Sequence, residues 1–398
     1  MLNTPFSPWP SFTTEEADAV RDVVLSNRVN YWTGTQCREF EKEYAEWAGS
    51  SHAIAVANGT LALDLALKGL GICVGDEVIV TPRTFIASVS TVVTAGAIPV
   101  FADVDPESGN ITPETIARVL TKRTKAIICV HLAGWPCFMP GIMALARANG
   151  VYVIEDCAQS HGARINGKMV GSWGDVGAWS FCQDKIITTG GEGGMVTTDN
   201  RALWSRMWSY KDHGKSWEAV YERQHPPGFR WLHDSIGTNW RMLEMQAAIG
   251  RIQLRRMQEW TAARTLNATR IAKVCQQYPE AVRVPLPSDG LTHAFYRLYA
   301  YVRPEGLADG WSRDRIIAAL GEHGVPAFSG SCSEVYLEKA FDGSSSRPAE
   351  RLPTARRLGE TSLMFLVHPT LTEAEIAQTC TALAEVLEQA SVERQAAA

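Results

Sequence analysis

Two short stretches hold residues that could do chemistry together. An apolar run over residues 151–154 leads into the acidic pair Glu155-Asp156. A second apolar run, 176–181, carries Ser180, and five residues later comes Lys185 inside a glycine-rich segment. A carboxylate and a lysine at the carboxyl ends of neighbouring strands are what an enzyme needs to hold pyridoxal phosphate. The amine forms a Schiff base, and the acid keeps the pyridine nitrogen protonated so that the ring can act as an electron sink. Alone, the pairing is compatible with several cofactor chemistries.

A third feature narrows them. Ala57-Asn58-Gly59-Thr60 follows an apolar run and opens a helical pattern. Free N–H groups at a helix start, a glycine for close approach and a threonine hydroxyl make an anion site. A plain strand–helix turn capped by Thr60 is the other reading. Ser180 could add a second phosphate contact. Gly190-Gly191-Glu192-Gly193-Gly194 resembles a nucleotide loop, but it precedes a strand pattern instead of joining a strand to a helix, so it fails the context of that motif. Its glycines would give the chain room beside a bulky planar cofactor. Phe85 could stack on the pyridine face or be a core residue of the next helix, and Gln159 could bond the ring hydroxyl. His161 fits either a supporting partner or a helix start. His131, His161 and His213 lack the paired spacing of a zinc set.

The elements that must position these residues alternate. Strand patterns cover 52–57, 77–81, 98–104, 125–130, 151–155, 176–181 and 194–198, with helical patterns at 60–69, 87–95, 112–120 and 140–149 between them. Thr112-Pro113-Glu114 opens one helix and Gly150 closes another. This predicts an α/β fold with a mostly parallel seven-stranded sheet, whose ligands bind beyond the carboxyl ends of the strands. Residues 202–210 read as helix. Residues 213–234, rich in Pro, Gly, His and aromatics, read as a functional loop. Its Lys215, Arg223, His225 and Arg230 suit a diphosphate, and its aromatics suit a dimer interface. Long helical periodicity over 240–276 then connects to a second, smaller α/β unit with a strand at 295–302 and helices at 313–322 and 372–389. The expected division is a large cofactor-binding domain, 1–255, and a small C-terminal domain, 256–398, with a frayed tail VERQAAA.

Composition sets the outer limits. The 398 residues are 45% hydrophobic and 20% charged, enough for a large core and ordinary for a globular chain. A formal charge of −5 gives no basic footprint, so neither nucleic acid nor anionic membrane is an expected partner. The nine cysteines are scattered with no C-x-x-C pair, which fits reduced thiols in the cytoplasm. The N-terminus lacks the basic and apolar regions of a signal peptide, and no apolar run approaches the roughly 18 residues that span a bilayer.

Five ordered blocks carry a resemblance: ANGTLALDLAL (57–67), TPRTFIAS (81–88), IEDCAQSHGA (154–163), AWSFCQDKIITTGGEGGMV (178–196) and GTNWRMLEMQAAIGRIQL (237–254). In these the chain resembles the DegT/DnrJ/EryC1/StrS sugar aminotransferases, pyridoxal 5'-phosphate enzymes of fold type I, from about residue 8 to residue 390. The resemblance implies that Lys185 binds the cofactor and moves the proton of the 1,3-shift. It gives Asp156 the pyridine nitrogen, Gln159 the ring hydroxyl, Phe85 the ring face, and Gly59, Thr60 and Ser180 the phosphate. Asn239 would reach the phosphate of the neighbouring subunit, making the active unit a homodimer. The implied reaction moves an amino group from an amino acid, L-glutamate, to a nucleotide-linked 4-keto or 3-keto sugar, for surface (lipopolysaccharide) or secondary-metabolite biosynthesis. A cyclitol of the scyllo-inosose type or an aminobenzoate-pathway substrate is the alternative. A sugar dehydratase, whose relatives replace the lysine by histidine, and a non-catalytic member are further ones. The chain departs from many members at Cys182-Gln183-Asp184, where they have histidine or proline before the lysine. A second departure is AFSGSCSEVYLEKAF (327–341), where many have a His-Tyr segment.

Overall fold

The structure is a computed structural model that describes residues 4–344 and 346–392; the expected fraying concerns a tail that lies, from 393 onward, outside the described residues. Its strands are β1 (His52–Val56), β2 (Glu77–Val80), β3 (Ile98–Phe101), β4 (Thr124–Val130), β5 (Tyr152–Asp156), β6 (Arg164–Ile165), β7 (Lys168–Met169), β8 (Val176–Ser180), β9 (Gly194–Thr198), β10 (Val282–Arg283), β11 (Leu291–Thr292), β12 (Leu298–Val302), β13 (Ala327–Phe328) and β14 (Ser362–Phe365). The helices are α1 (Thr14–Leu25), α2 (Gln36–Ala48), α3 (Gly59–Leu70), α4 (Ala87–Thr94), α5 (Pro113–Ala117), α6 (Met139–Asn149), α7 (Arg201–Lys211), α8 (Trp217–Tyr221), α9 (Glu244–Arg255), α10 (Met257–Cys275), α11 (Arg313–Glu322), α12 (Pro353–Thr361) and α13 (Glu373–Ala390).

Seven strands form one sheet in the order β1-β9-β8-β5-β4-β2-β3. β9 pairs antiparallel with both neighbours, and the other registers are parallel. Strands β2, β8 and β9 are buried along their whole length, as expected of a sheet covered by helices on both faces. Helix starts follow local chemistry. Thr112 caps α5 in a reciprocal pair with Thr115, with Pro113 at the first turn, and Gly150 closes α6 at φ +65°. A second sheet, β10-β12-β14-β13, has its own apolar core, built with residues of α10, α11 and α13. Strands β11, β6 and β7 make a small third sheet, so the segment 291–292 adds to a hairpin of the first region. Among the described residues no helix is long and apolar enough to cross a membrane.

Two expectations need correction, and one strand goes unforeseen. The periodicity over 240–276 is two helices, α9 and α10, because the chain turns at Arg256, whose guanidinium is bound by Glu15 and Glu16 of α1. The strand at 295–302 begins only at Leu298. Phe295 sits at φ +44°, outside the extended region, which turns Tyr296 and Arg297 toward the main sheet. β14 was not legible as a strand at all, since SLMF is too short to show a period.

Candidate active site

The carboxyl ends of β1, β2, β5 and β8 open on a cavity of about 610 Å³, within the range of small-molecule sites. It is lined by Gly59, Thr60, Phe85, Asp156, Gln159, Ser180 and Lys185, seven of the eight expected residues. The eighth, Asn239, does not line this chain's cavity. It is exposed, its backbone bridged to Asp212 and its side chain accepting from Arg241 N–H at 3.5 Å.

The phosphate turn is built by α3. Asn58, not Thr60, is the cap, its side chain accepting from Leu61 N–H at 3.0 Å. Thr60 is thereby left exposed at the cavity, free to offer its hydroxyl. A Cβ on Gly59 would stand 2.5 Å from Ser180 Cβ, so only glycine lets the helix start and the end of β8 meet. Two glycines of the run, Gly193 and Gly194, have another role than the one expected. A Cβ on Gly194 would meet Asn58 O at 2.4 Å and one on Gly193 would meet Thr189 Oγ1, so these glycines make room for protein. Only Glu192 of that run lines the cavity.

Asp156 is buried. Its Oδ2 accepts from Ser88 Oγ at 2.7 Å and its Oδ1 from Ala158 N–H at 3.1 Å, while Thr84 and Ser88 share a further bond of 2.8 Å. Burial lifts its carboxyl above the usual aspartate range, against the pull of Ser88, Ala158 and Lys185. A buried acid so raised is suited to a cationic partner, which a protonated ring nitrogen would be. Gln159 Oε1 accepts from Ala133 N–H at 2.8 Å, which leaves its NH2 end to offer the cavity. Phe85 is 66% exposed, which removes the core reading and leaves a ring free to stack.

Lys185 lies in the loop between β8 and β9, its backbone carbonyl held by Trp9 Nε1–H at 2.8 Å. Its Nζ is 3.6 Å from Asp184 Oδ1 and 5.2 Å from the Tyr296 ring centre. Burial favours the neutral amine, but Tyr296, Asp184, Cys182 and Asp156 outweigh it and hold the ammonium above the usual lysine value. Burial alone therefore does not neutralise this lysine.

Below the cavity, Glu155 anchors the loop that follows β7. It accepts from Gly171, Trp173 and Gly174 N–H groups at 2.7–2.8 Å and from His131 Nε2 at 3.0 Å. Burial would raise its carboxyl, yet His131 and the backbone donors hold it below the ordinary value. His131, Glu155 and Cys157 come within 4.8 Å of one another, but Glu155's oxygens are already taken by these donors. His161 is neither a helix start nor a hydrogen-bond partner. It packs 5.1 Å from Trp179 and 5.7 Å from Phe181, and burial, with Lys185 and Arg264, pushes it down to about 3.

Sequence reasoning missed Ser88, Tyr296 and Arg297. Ser88 stands at the end of a quoted block and follows Phe85 by one helical turn, which could have found it. Tyr296 and Arg297 arrive from the far side of the chain, and nothing in their own segment marks them.

The sequence matches the DegT/DnrJ/EryC1/StrS aminotransferase family over residues 10–384. The chain belongs to that family. It is similar in structure to an aminotransferase from Psychrobacter cryohalolentis, with a TM-score of 0.95 and 65% identity over 96% of this chain and 98% of that one. Among curated proteins it is 38% identical over 381 residues to the GDP-perosamine synthase of Caulobacter vibrioides, covering 92% of this chain and 95% of the other. It is 37% identical over 378 residues to a UDP-N-acetyl-3-dehydro-alpha-D-glucosamine 3-aminotransferase of Acidithiobacillus ferrooxidans, with the same coverage. The chain is thus a fold type I aminotransferase whose cofactor is pyridoxal 5'-phosphate. The site residues fit that group: a tight helix start beside Ser180, a buried acid wanting a cation, and a lysine on the cavity wall.

Proposed function

We propose that the chain transfers an amino group from an amino acid, L-glutamate, to a nucleotide-linked keto-sugar. One observation carries this: a lysine, a buried carboxylate and a phosphate turn share a single cavity. The bound cofactor supplies an electron sink for the carbanion at the substrate carbon. Lys185 moves the proton between the substrate carbon and the cofactor, help worth about 10²–10⁴ in rate. Asp156, oriented by Ser88 and Ala158, pairs with the ring nitrogen, and Gln159 donates to the ring hydroxyl. Gly59, Thr60 and Ser180 hold the phosphate, while Phe85 covers the ring.

The full-length likeness to enzymes named for GDP- and UDP-linked sugars supports the sugar reading. The active unit in this proposal is a homodimer in which Asn239 completes the neighbour's phosphate site. Support comes from the apolar surface around it: Phe229, Trp231 and Ile236 are among the most exposed large apolar side chains. Arg223 is tied to Asp234, Lys215 to Asp212 and Arg230 to Val220 O, so the cations of this loop already have partners, which favours an interface over a diphosphate site. The division in this proposal is a large domain of residues 1–255 and a small one of 256–398, and the turn between α9 and α10 at Arg256 supports it. The test is purified protein with glutamate against a panel of nucleotide 4-keto- and 3-keto-sugars and scyllo-inosose, read by 2-oxoglutarate release. Lys185→Ala should abolish that release; retained turnover would refute the assignment.

A further inference from the structure

Asp184 stands between two parts of the molecule and touches the machinery of both. One oxygen, Oδ1, is 3.6 Å from Lys185 Nζ. The other, Oδ2, accepts the Tyr296 hydroxyl and lies 4.0 Å from Arg297 Nη2. Tyr296 and Arg297 immediately precede β12, so they come from the second sheet, and Arg297 in turn stacks on Tyr296 at 4.2 Å. The Asp184 side chain is half exposed and lines the cofactor cavity. It also lines a neighbouring chamber of about 810 Å³ bordered by Phe6, Trp9, Phe12, Arg297 and His368. Asp184, with Cys182 of the same loop, thus stands in the partition between the two spaces.

We propose that Asp184 is a positioning residue: it gives the Lys185 nitrogen a fixed place to stand at the wall of the cavity, both while that nitrogen holds the cofactor and after it is released. Three features of the geometry serve this. The Tyr296 hydroxyl pins one oxygen, so the other is presented to Lys185 from a fixed direction. Burial would raise the Asp184 carboxyl, but Lys185, the Tyr296 hydroxyl and Arg297 hold it below the usual aspartate range, so it stays ionised beside the cavity. Trp9 holds the carbonyl of Lys185 itself, which leaves the lysine side chain as the moving part. The charged and titratable groups facing Lys185 are Asp184 and Cys182 from its own loop, Asp156 from β5, His161 beyond β5, and Tyr296 from the segment before β12. Arg264 of α10 and His368 face Arg297 from behind. Of the acids in this set, Asp156 belongs to the ring nitrogen in the proposed function, so Asp184 is the one left to govern the lysine. A bystander acid that only ties the second sheet to the first would show the same contacts with Tyr296 and Arg297, but would not alter the lysine nitrogen.

This inference rests on the proposed role of Lys185. It is tested on the cofactor-loaded protein by following the visible absorbance of the resting enzyme against pH in the wild type, Asp184→Asn and Asp184→Glu. Asparagine keeps the shape and an acceptor for Tyr296 but removes the charge. The pH midpoint should fall by about one unit, a tenfold loss in proton affinity of the linked nitrogen. Asp184→Glu should return most of the shift. In steady state with glutamate, Asp184→Asn should lower kcat by about tenfold or more while KM changes little, the pattern of an interaction used in the chemical step. If Asp184→Asn fails to hold the cofactor, Asp184→Ser should give the same fall in midpoint. A wild type with no visible band overturns the proposed function along with this inference. A normal band whose midpoint does not move in either uncharged variant overturns this inference alone.

Discussion

Glu155→Gln exposes how the site is held from below. The wild-type carboxylate takes four donors: Trp173 and Gly174 N–H at 2.7 Å on Oε1, and Gly171 N–H at 2.8 Å and His131 Nε2 at 3.0 Å on Oε2. His131 Nδ1 accepts from Cys137 N–H at 2.9 Å, so the ring proton sits on Nε2 and points at Glu155. A glutamine amide has one acceptor end. Whichever way it turns, its NH2 faces two donors, and both lose their partner in a fully buried place. Each buried donor left unsatisfied costs about 1–3 kcal/mol. Two such donors give an expected loss of about 2–6 kcal/mol of unfolding free energy, read by urea denaturation near neutral pH. The pH dependence gives a second check. The folded-state carboxyl of Glu155 is held below its ordinary value of 4.5. Its contribution is therefore present above that value and is lost as pH falls through the lower folded one. The gap between wild type and variant should be full near neutral pH and narrow in acid. A gap below about 1 kcal/mol, or one that widens in acid, would refute the account of four donors on one buried carboxylate.

Gly59→Ala forces the helix start away from Ser180, where its Cβ would stand 2.5 Å from Ser180 Cβ. Pyridoxal phosphate affinity should drop by about 10- to 100-fold, or about 1.4–2.8 kcal/mol, in an absorbance titration; unchanged affinity would mean the turn does not hold the phosphate. Phe85→Ala, at a ring 66% exposed, should leave stability within about 0.5 kcal/mol. Cofactor binding should weaken by about 0.5–1.5 kcal/mol for the lost stacking. The reverse pattern, lost stability with intact cofactor affinity, would return Phe85 to the core. Trp231→Ser should shift the protein toward monomer in analytical ultracentrifugation, with loss of activity that high protein concentration restores; a monomeric, fully active wild type would sink the shared-site proposal.

Much of this was legible in the chain because the relevant signals are local. A strand that ends in Asp156, a turn of Asn58, Gly59 and Thr60, and Lys185 after a buried run each lie within a few residues, and parallel sheets put strand ends on one edge. The roles of Gly193 and Gly194 escape the sequence for the same reason in reverse. Their neighbours, Asn58 and Thr189, can be identified only once the turn of β1 and the loop before β9 are seen side by side. Phe85 was ambiguous because an aromatic at a helix start can face either way, and only its exposure decides.

By itself the sequence determined the sheet and the cavity edge, which depend on short-range pattern and on the fixed geometry of β-α-β units, and the family resemblance named seven of the residues that line it. Only the tertiary structure decided what surrounds the lysine. Phe295 leaves the extended region and aims Tyr296 and Arg297 across the molecule at Asp184. Tyr296, Asp184, Cys182 and Asp156 together outweigh burial and hold the Lys185 ammonium above the usual lysine value. The contact of Tyr296 with Asp184 joins residues more than a hundred positions apart and leaves no periodicity in the chain, whereas Asp184 and Cys182 act on Lys185 from its own loop.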